Sequence, residues 1–412
     1  MRVLYLSYDG MTDPLGQSQV IPYLKGLTKL GHSFHLISFE KPDRFEKLKG
    51  HIQQIMDESG IKWHPQPYTK NPPVVSTMLD LQKMEKLAFQ LHAGNKFDIV
   101  HCRSYISALV GLKMKEKAGV KFLFDMRGFW ADERVEGGIW NLSNPLFRGV
   151  FRYFKNKEKE FFTKADYTIS LTEAGKKEIH SWRNIGGQPI PIQVIPCCAD
   201  LDLFNAASIS EQEKTKLRNE LGIATGDFVV SYVGSIGTWY MPDEMFDFFK
   251  VLNAKVATAR FLFVTPESPE TVFARAEARG VSRDKVIVVH ATHKQVPGYL
   301  SLSNWSLFFI KPVFSKLASS PTKQGEIMGM GIPHVCNTGV GDVAEILQNG
   351  ECGFAISAFN TESYNKVADS MLEAKLDAGL IRQNAFRVYS LEEGIKKYAG
   401  VYNALGTKQA VR

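Results

Sequence analysis

Short β-rich runs alternate with amphipathic stretches along nearly the whole chain, and that alternation leaves few folds open. Strand, helix, strand in repetition builds a parallel sheet with helices packed on its faces. In the first half the predicted strands are Arg2–Ser7, Ser33–Phe39, Ile61–His64, Asp98–Cys102, Lys121–Phe124, Tyr167–Leu171 and Gln193–Ile195. In the second half they are Phe228–Val233, Arg260–Val264, Lys285–Val289, Leu307–Ile310, His334–Cys336 and Gly353–Ile356. The expected fold class is therefore α/β, with two doubly wound domains in succession. Their boundary is expected within Gly187–Asn205, where Gly186-Gly-Gln-Pro-Ile-Pro191 breaks the periodicity and Ile195-Pro-Cys-Cys-Ala-Asp200 ends a strand in a turn. A chain of 412 residues is long enough for two full cores.

The charge pattern narrows the ligands. A net charge of +7 favours anionic ligands or an anionic membrane surface. Neither a zinc-finger spacing nor an RNP-like aromatic signature is present, so no nucleic-acid partner is expected. No apolar run approaches the roughly 18 residues needed to span a bilayer. Met1-Arg-Val-Leu-Tyr-Leu-Ser-Tyr reaches Asp9-Gly10 too soon for a secretory core and reads as a first strand. The cysteines Cys102, Cys197, Cys198, Cys336 and Cys352 are odd in number and contain no C-x-x-C pair. That set fits a reducing cytoplasm and no metal or disulfide framework.

The stretch Ser319-Ser-Pro-Thr-Lys-Gln-Gly-Glu326 reads as an anion-binding helix start. Ser320 is the expected N-cap and Pro321 the first helical residue, so that free backbone N–H groups from Thr322 onward face a ligand. Lys323 adds a full positive charge, and Glu326 follows one turn later on the same face. A phosphate seat with a carboxylate behind it suits a nucleoside diphosphate, whose ribose offers two adjacent hydroxyls. In open α/β sheets ligands bind beyond the carboxyl ends of the strands, so a ligand shared by both domains would lie in the cleft between them.

Together these segments resemble the large retaining glycosyltransferase family numbered four, of GT-B architecture, over nearly the whole length. Asp13-Pro-Leu-Gly-Gln-Ser-Gln-Val-Ile-Pro-Tyr-Leu-Lys-Gly-Leu-Thr-Lys-Leu-Gly-His32 resembles the family's glycine loop, helix and Gly-His turn. Phe97-Asp-Ile-Val-His101, Ala165-Asp-Tyr-Thr-Ile-Ser170 and Val194-Ile-Pro-Cys-Cys-Ala-Asp-Leu-Asp-Leu-Phe204 resemble two of its strands and its interdomain signature. Phe228-Val-Val-Ser-Tyr-Val-Gly234 resembles the first donor-domain strand, and Glu326-Ile-Met-Gly-Met-Gly-Ile-Pro333 falls where the family keeps its ribose-binding Glu.

The resemblance implies two Rossmann-like domains with a cleft between them. Residues 1–190 would be the acceptor-side domain, 191–385 the donor-binding domain, and 386–412 a C-terminal helix returning to the first. It further implies transfer of a sugar from a UDP- or GDP-type donor to a hydroxyl of a glycan or lipid-linked acceptor, with retention and without a metal or other cofactor. Donor contacts would come from Gly16, Gly234, Ser235, Ser320, Thr322, Lys323, Glu326 and Gly341. Asp125, Arg127 and Lys323 are the catalytic candidates, and Glu133 is a further orienting candidate.

Three departures from the family pattern matter. A second family Glu, eight positions before Glu326, is Ala318 here. The Arg and Lys that the family often carries after the first donor strand are replaced by Gly234-Ser-Ile-Gly-Thr-Trp-Tyr-Met241. Lys323 is the expected substitute, with Lys311 and Lys316 behind it, while Trp239 and Tyr240 would line the cleft mouth or join the core. The family's His after the fifth strand is absent, and Asp125 and Arg127 stand in that neighbourhood.

Alternatives remain at this stage. A nucleotide-sugar epimerase on the same fold, or a non-catalytic nucleotide-sugar-binding partner protein, would use the same donor site. Asp200-Leu-Asp202 offers a D-x-D carboxylate pair for Mg²⁺. Residues 146–162 form a basic amphipathic helix, either interfacial at the inner face of a membrane or packed on the core with a solvated basic face.

Overall fold

The computed structural model describes residues 1–183, 185, 189–349 and 351–406. Gly186, Gly187 and Gln188 of the predicted break, and the last six residues of the predicted C-terminal segment, lie outside the described residues. The chain divides into two compact units, Met1–Pro196 with Leu391–Arg412, and Cys197–Ser390.

The first unit opens with β1 (Arg2–Ser7), α1 (Pro14–Gln19), α2 (Ile21–Lys29), β2 (Ser33–Glu40), α3 (Pro42–Glu58) and β3 (Lys62–Pro67). Next come α4 (Val75–Asn95), β4 (Ile99–Arg103), α5 (Ser104–Ala118), β5 (Lys121–Asp125), α6 (Trp130–Glu136) and α7 (Pro145–Lys164). β6 (Tyr167–Ser170), α8 (Glu173–Ser181) and β7 (Ile192–Val194) complete the run. The seven strands form one sheet in the order β3-β2-β1-β4-β5-β6-β7, every pair parallel. Central strands such as β1 and β4 are almost wholly buried, because helices cover both faces of a parallel sheet.

The second unit contains α9 (Glu211–Leu221), β8 (Phe228–Val233), α10 (Pro242–Lys255), β9 (Ala259–Val264), α11 (Pro269–Ala278), β10 (Val286–Val289) and α12 (Val296–Leu300). β11 (Trp305–Leu307), α13 (Thr322–Gly329), β12 (His334–Asn337), α14 (Val343–Asn349) and β13 (Gly353–Ile356) follow. α15 (Thr361–Glu373) and α16 (Ala378–Tyr389) close this unit. Its parallel sheet runs β10-β9-β8-β11-β12-β13 around a core rich in phenylalanine, including Phe246, Phe249, Phe261 and Phe263.

The last helix, α17 (Leu391–Gly406), belongs to the first unit and packs on α2. Its inward residues Tyr398, Val401, Tyr402 and Leu405 are buried. Gly26 on α2 leaves the gap that Ile395 fills, since a Cβ there would lie 2.1 Å from Ile395 Cδ1.

One predicted strand is shifted. β11 spans Trp305–Leu307 rather than Leu307–Ile310. Phe308 N still donates to Val335 O of β12 at 3.0 Å, but residues 309 and 310 bond elsewhere: Met241 N donates to Phe309 O at 3.1 Å, and Asn337 Nδ2 donates to Ile310 O at 2.9 Å. In each sheet the strand order reverses once, between β1 and β4 and between β8 and β11. Ligand crevices in doubly wound sheets lie at such switch points, beyond the carboxyl ends of the strands.

Candidate functional site

In the second unit the switch point is bounded by the loop after β8 and the loop leading from β11 to α13. β8 is followed by Gly234, whose φ of +116° is one that side chains rarely adopt. A Cβ there would sit 3.0 Å from Lys323 Nζ. The following segment folds back as a short antiparallel partner of residues 309–311, with Lys311 N donating to Trp239 O at 2.9 Å and Tyr240 bridging Ile310. Asn337 at the end of β12 fixes the other side, accepting from Ile310 N at 2.8 Å and donating to Ile310 O. Three loops that are remote in sequence are thereby tied at one sheet edge.

That arrangement seats two lysines on two aromatic rings. Lys323 Nζ lies 3.5 Å from the centroid of the Tyr240 ring and 4.4 Å from that of Tyr232, and it donates to Tyr232 Oη at 3.2 Å. Lys316, in the 3₁₀ turn Phe314–Ala318, sets its Nζ 3.7 Å above the Trp239 ring. Aromatic faces attract cations, most strongly when water is excluded. Lys323 is only 7 % exposed. Burial holds its pKa well below the usual lysine range, and only the nearby Glu326 charge works the other way. Among the described residues Lys323 makes one hydrogen bond and no ion pair. Burial likewise pushes the Tyr240 hydroxyl up to about 12, with the Glu326 charge adding to it.

The helix start differs from its prediction in one respect. α13 begins at Thr322, but its N-cap residue is Pro321, extended at φ −73°, ψ 119°, and no side chain caps the helix. Ser320 instead accepts a hydrogen bond from Cys197 N at 3.2 Å through its hydroxyl. The ring of Pro321 fixes φ but leaves ψ free, and here ψ is extended, so the helix starts one residue later than the sequence reading. The N–H groups of Thr322 and Lys323 are left without intrahelical acceptors, as at any helix start.

Glu326 is mostly shielded and accepts from His293 Nε2 at 3.0 Å. The same bond raises the His293 pKa, against the opposing effect of burial. His293 also packs edge-on to Phe204. It lies in the turn after β10 and has no sequence spacing to Glu326 that could have revealed it. Ser235 is exposed beside Gly234, and Tyr232 Oη donates to its carbonyl. Gly341 N is already engaged with Lys316 O at 2.8 Å, so Gly341 braces the lysine turn rather than offering a free N–H.

The predicted site residues of the first unit are placed differently from expectation. Gly16 sits in α1, where a Cβ would come 2.2 Å from Gly10 O and 2.6 Å from Met11 Cα. Its missing side chain admits the chain's own backbone, and this correction removes the reason to set a diphosphate there. The neighbouring loop is held by Glu40 at the end of β2, which accepts from Met11 N, Thr12 N, Thr12 Oγ1 and Ser38 Oγ. Sequence reasoning missed Glu40 because it looks like an ordinary residue at a strand end.

Asp125, at the carboxyl end of β5, is 1 % exposed. Its Oδ2 accepts from Tyr398 Oη of α17 at 2.9 Å and lies 3.5 Å from His101 Nε2, while Arg127 is 3.8 Å from its Oδ1. His101 Nδ1 in turn meets Tyr402 Oη at 2.8 Å. Burial alone would raise the Asp125 pKa, but the Arg127 charge, the His101 hydrogen bond and Arg103 outweigh it and hold the carboxylate below its ordinary value. This burial corrects the expectation that Asp125 faces a sugar. It anchors α17 and steadies Arg127, which turns in the left-handed region at φ +57° and is the more accessible of the two. Glu133 lies half-buried on α6.

Asp200 and Asp202 do not form a carboxylate pair with a third ligand. Asp200 Oδ1 accepts from Leu203 N at 3.0 Å, closing a turn, and no group of three or more His, Cys, Asp or Glu suited to a metal occurs among the described residues. No helix among the described residues is long and apolar enough to cross a membrane.

Comparison with known proteins agrees with this architecture. Residues 18–203 match the family described as Glycosyltransferase Family 4, and residues 213–388 match Glycosyl transferases group 1. No curated protein matches the chain. Among solved structures, a glycosyltransferase from Rickettsia africae superposes with a TM-score of 0.70 at 16 % identity, covering 98 % of each chain. Anabaena HepE in complex with UDP and glucose gives 0.68 at 13 % identity, over 98 % of this chain and all of the other. The lipopolysaccharide outer core galactosyltransferase WaaB gives 0.67 at 16 % identity, over 98 % and 99 %. At such identities the likeness establishes the fold, and the two family matches, which run almost end to end, establish the kinship. The chain belongs to the family four, group 1 glycosyltransferases and has the GT-B architecture of two Rossmann-like domains.

Proposed function

We propose that the second unit binds a nucleoside diphosphate sugar of the UDP or GDP type, and that the enzyme transfers its hexosyl group to a hydroxyl of a glycan or lipid-linked acceptor with retention of configuration. The observation that carries this reading is Lys323, a buried amine that among the described residues has one hydrogen bond and no carboxylate partner, with an open helix start beside it. A buried cation is stable when an anion completes its shell. A diphosphate would supply oxygens to Lys323, to the N–H groups of Thr322 and Lys323, and to Lys316. Glu326 would then exchange His293 for the ribose hydroxyls. That HepE was crystallised with UDP-glucose is in keeping with such a donor.

In the reaction the bond between the anomeric carbon and the diphosphate oxygen breaks, and negative charge grows on the leaving group. Lys323, Lys316 and the α13 start stabilise that charge where it develops. The acceptor hydroxyl attacks from the same face, and its proton passes to the departing diphosphate oxygen. On the first unit Arg127 orients the acceptor, with Asp125 acting through it. Lysines and helix dipole, rather than Mg²⁺, neutralise the diphosphate, so no cofactor is required. The five cysteines are free and buried, in keeping with work in a reducing cytoplasm.

The test is a binding screen of UDP-, GDP- and ADP-sugars by calorimetry, followed by incubation of the bound donor with glycan and lipid-linked acceptors. Release of nucleoside diphosphate with an unchanged anomeric signal in the product is the expected result. Conversion of the sugar without its release would mean an epimerase, and binding without turnover on any acceptor a donor-binding partner protein. Failure to bind every donor would overturn the reading.

A further inference from the structure

The second unit carries a cleft at the amino edge of its sheet, the edge away from Lys323. Its volume is about 490 Å³, within the range of ordinary small-molecule sites. Phe228 and Trp305, the first residues of β8 and β11, line it together with Met330 and Met371. Trp305, Met330 and Met371 are buried, so the inner wall is apolar. Leu372, also in the lining, is 42 % exposed, an apolar side chain left uncovered at the mouth.

The charge in the lining has one sign. Among the described residues Lys214 and Lys375 belong to it, and no Asp or Glu does. Lys375, on the loop between α15 and α16, is exposed and has no carboxylate partner among the described residues. Lys214 pairs with Glu211 at 2.6 Å, but Glu211 is 85 % exposed, and a surface pair of that kind is worth little against a better-placed anion. The Ser303 hydroxyl is buried in the wall with no hydrogen-bond partner among the described residues. Two lysines and an unspent hydroxyl beside an apolar wall suit a small anion with an apolar body, the chemistry of an alkyl phosphate or a fatty carboxylate.

The cleft and the donor end share their elements. α13 carries Lys323 near its start and reaches the cleft at Met330, its C-cap, whose N–H donates to Glu326 O at 3.2 Å. At about 1.5 Å per residue, the eight residues of α13 span only about 12 Å. β8 starts in the cleft at Phe228 and leads to Gly234 beside Lys323. β12 follows Pro333 of the lining and ends at Asn337, which fixes Ile310. A ligand that immobilises Met330 orders the helix whose start faces the diphosphate, and a site already ordered binds its own ligand at lower entropic cost.

We propose that this cleft is a regulatory site for a small anionic amphiphile, with its head at Lys214 and Lys375 and its apolar body against Trp305, Met330 and Met371, and that occupancy tightens donor binding through α13. The coupling rests on the donor reading above, whereas the site does not.

The test is calorimetry of the full chain with octyl phosphate and octanoate, set against octanol and inorganic phosphate. Both anionic amphiphiles should bind about tenfold more tightly than either half alone. Ala374→Trp, which fills the cleft, and Lys214→Glu with Lys375→Glu should each lower octyl phosphate binding about tenfold. Lys250→Glu with Lys366→Glu, exposed lysines outside the lining, should bind as wild type, with circular dichroism checking that every variant is folded. Octyl phosphate should also slow hydrogen exchange of the α13 amides and raise donor affinity about fivefold, an ordinary size for coupling between sites. Binding no tighter than that of octanol and phosphate, wild-type binding by either folded cleft variant, an equal loss in the control, or displacement of octyl phosphate by UDP would overturn the site. Unchanged α13 exchange or unchanged donor affinity would overturn the coupling. If no nucleotide sugar binds at all, the donor reading fails by itself, and octyl phosphate binding with α13 exchange still decides the inference.

Discussion

Replacing Lys323 by Met keeps the length of the side chain among the Tyr232 and Tyr240 rings while removing a charge that burial penalises. The substitution should leave the melting temperature unchanged or higher and lower donor affinity at least tenfold, read by calorimetry beside thermal denaturation. A variant that binds donor as wild type would transfer the diphosphate role to Lys316. Glu326→Ala removes charged hydrogen bonds to the ribose and should cost roughly 1 to 3 kcal/mol of nucleoside diphosphate binding. His293→Ala, which only frees Glu326, should cost much less, and equal losses in the two variants would assign the contact to the pair. His334 gives a prediction about pH. It is fully buried on β12 and stacks on Phe308. Burial lowers its pKa to about 4. Above pH 6.5 both folded and unfolded states are neutral at this site; as pH falls from 6.5 toward 4 only the unfolded chain takes up the proton, so stability drops by about 3 kcal/mol. His334→Phe should remove that part of the slope in urea unfolding measured across the window, and an unchanged slope would mean the folded imidazole is already protonated.

At the scale of elements, the strands were legible because parallel strands buried on both faces are written as continuous apolar runs. All thirteen predicted strands have counterparts, and β1, β8 and β13 coincide end to end. The slip at β11 came from outside the strand: Phe309 and Ile310 are as apolar as any residue, and the competing bonds from Met241 and Asn337 take them out of the ladder. α17 illustrates the converse. Its amphipathic face is plain in the sequence, but the bonds from Tyr398 to Asp125 and from Tyr402 to His101 span 273 and 301 residues. Tyr398→Phe should therefore destabilise the first unit by about 1 to 3 kcal/mol in urea unfolding, the cost of leaving a buried carboxylate short of a donor. A change near zero would show that Arg127 and His101 satisfy Asp125 by themselves.

For the molecule as a whole, the proposed chemistry predicts that donor turnover survives EDTA, because lysines and a helix start carry the charge that Mg²⁺ would otherwise neutralise. Complete loss of turnover that Mg²⁺ restores would return Asp200 and Asp202 to consideration. The sequence by itself determined the two α/β sheets, the presence of a helix carrying Lys323 and Glu326 on one face, and the family, since each rests on local apolar period or on residues a few positions apart. What only the tertiary structure decided are the contacts between remote segments. Gly16 faces its own backbone rather than a ligand, Asp125 lies under α17, Ser320 serves Cys197 rather than its helix, and Tyr240 and Trp239 seat Lys323 and Lys316. Periodicity specifies which face of an element is buried but carries no record of which distant side chain meets it. That is set by sheet order and loop path, and it is where a charged residue becomes either a brace or a binding group.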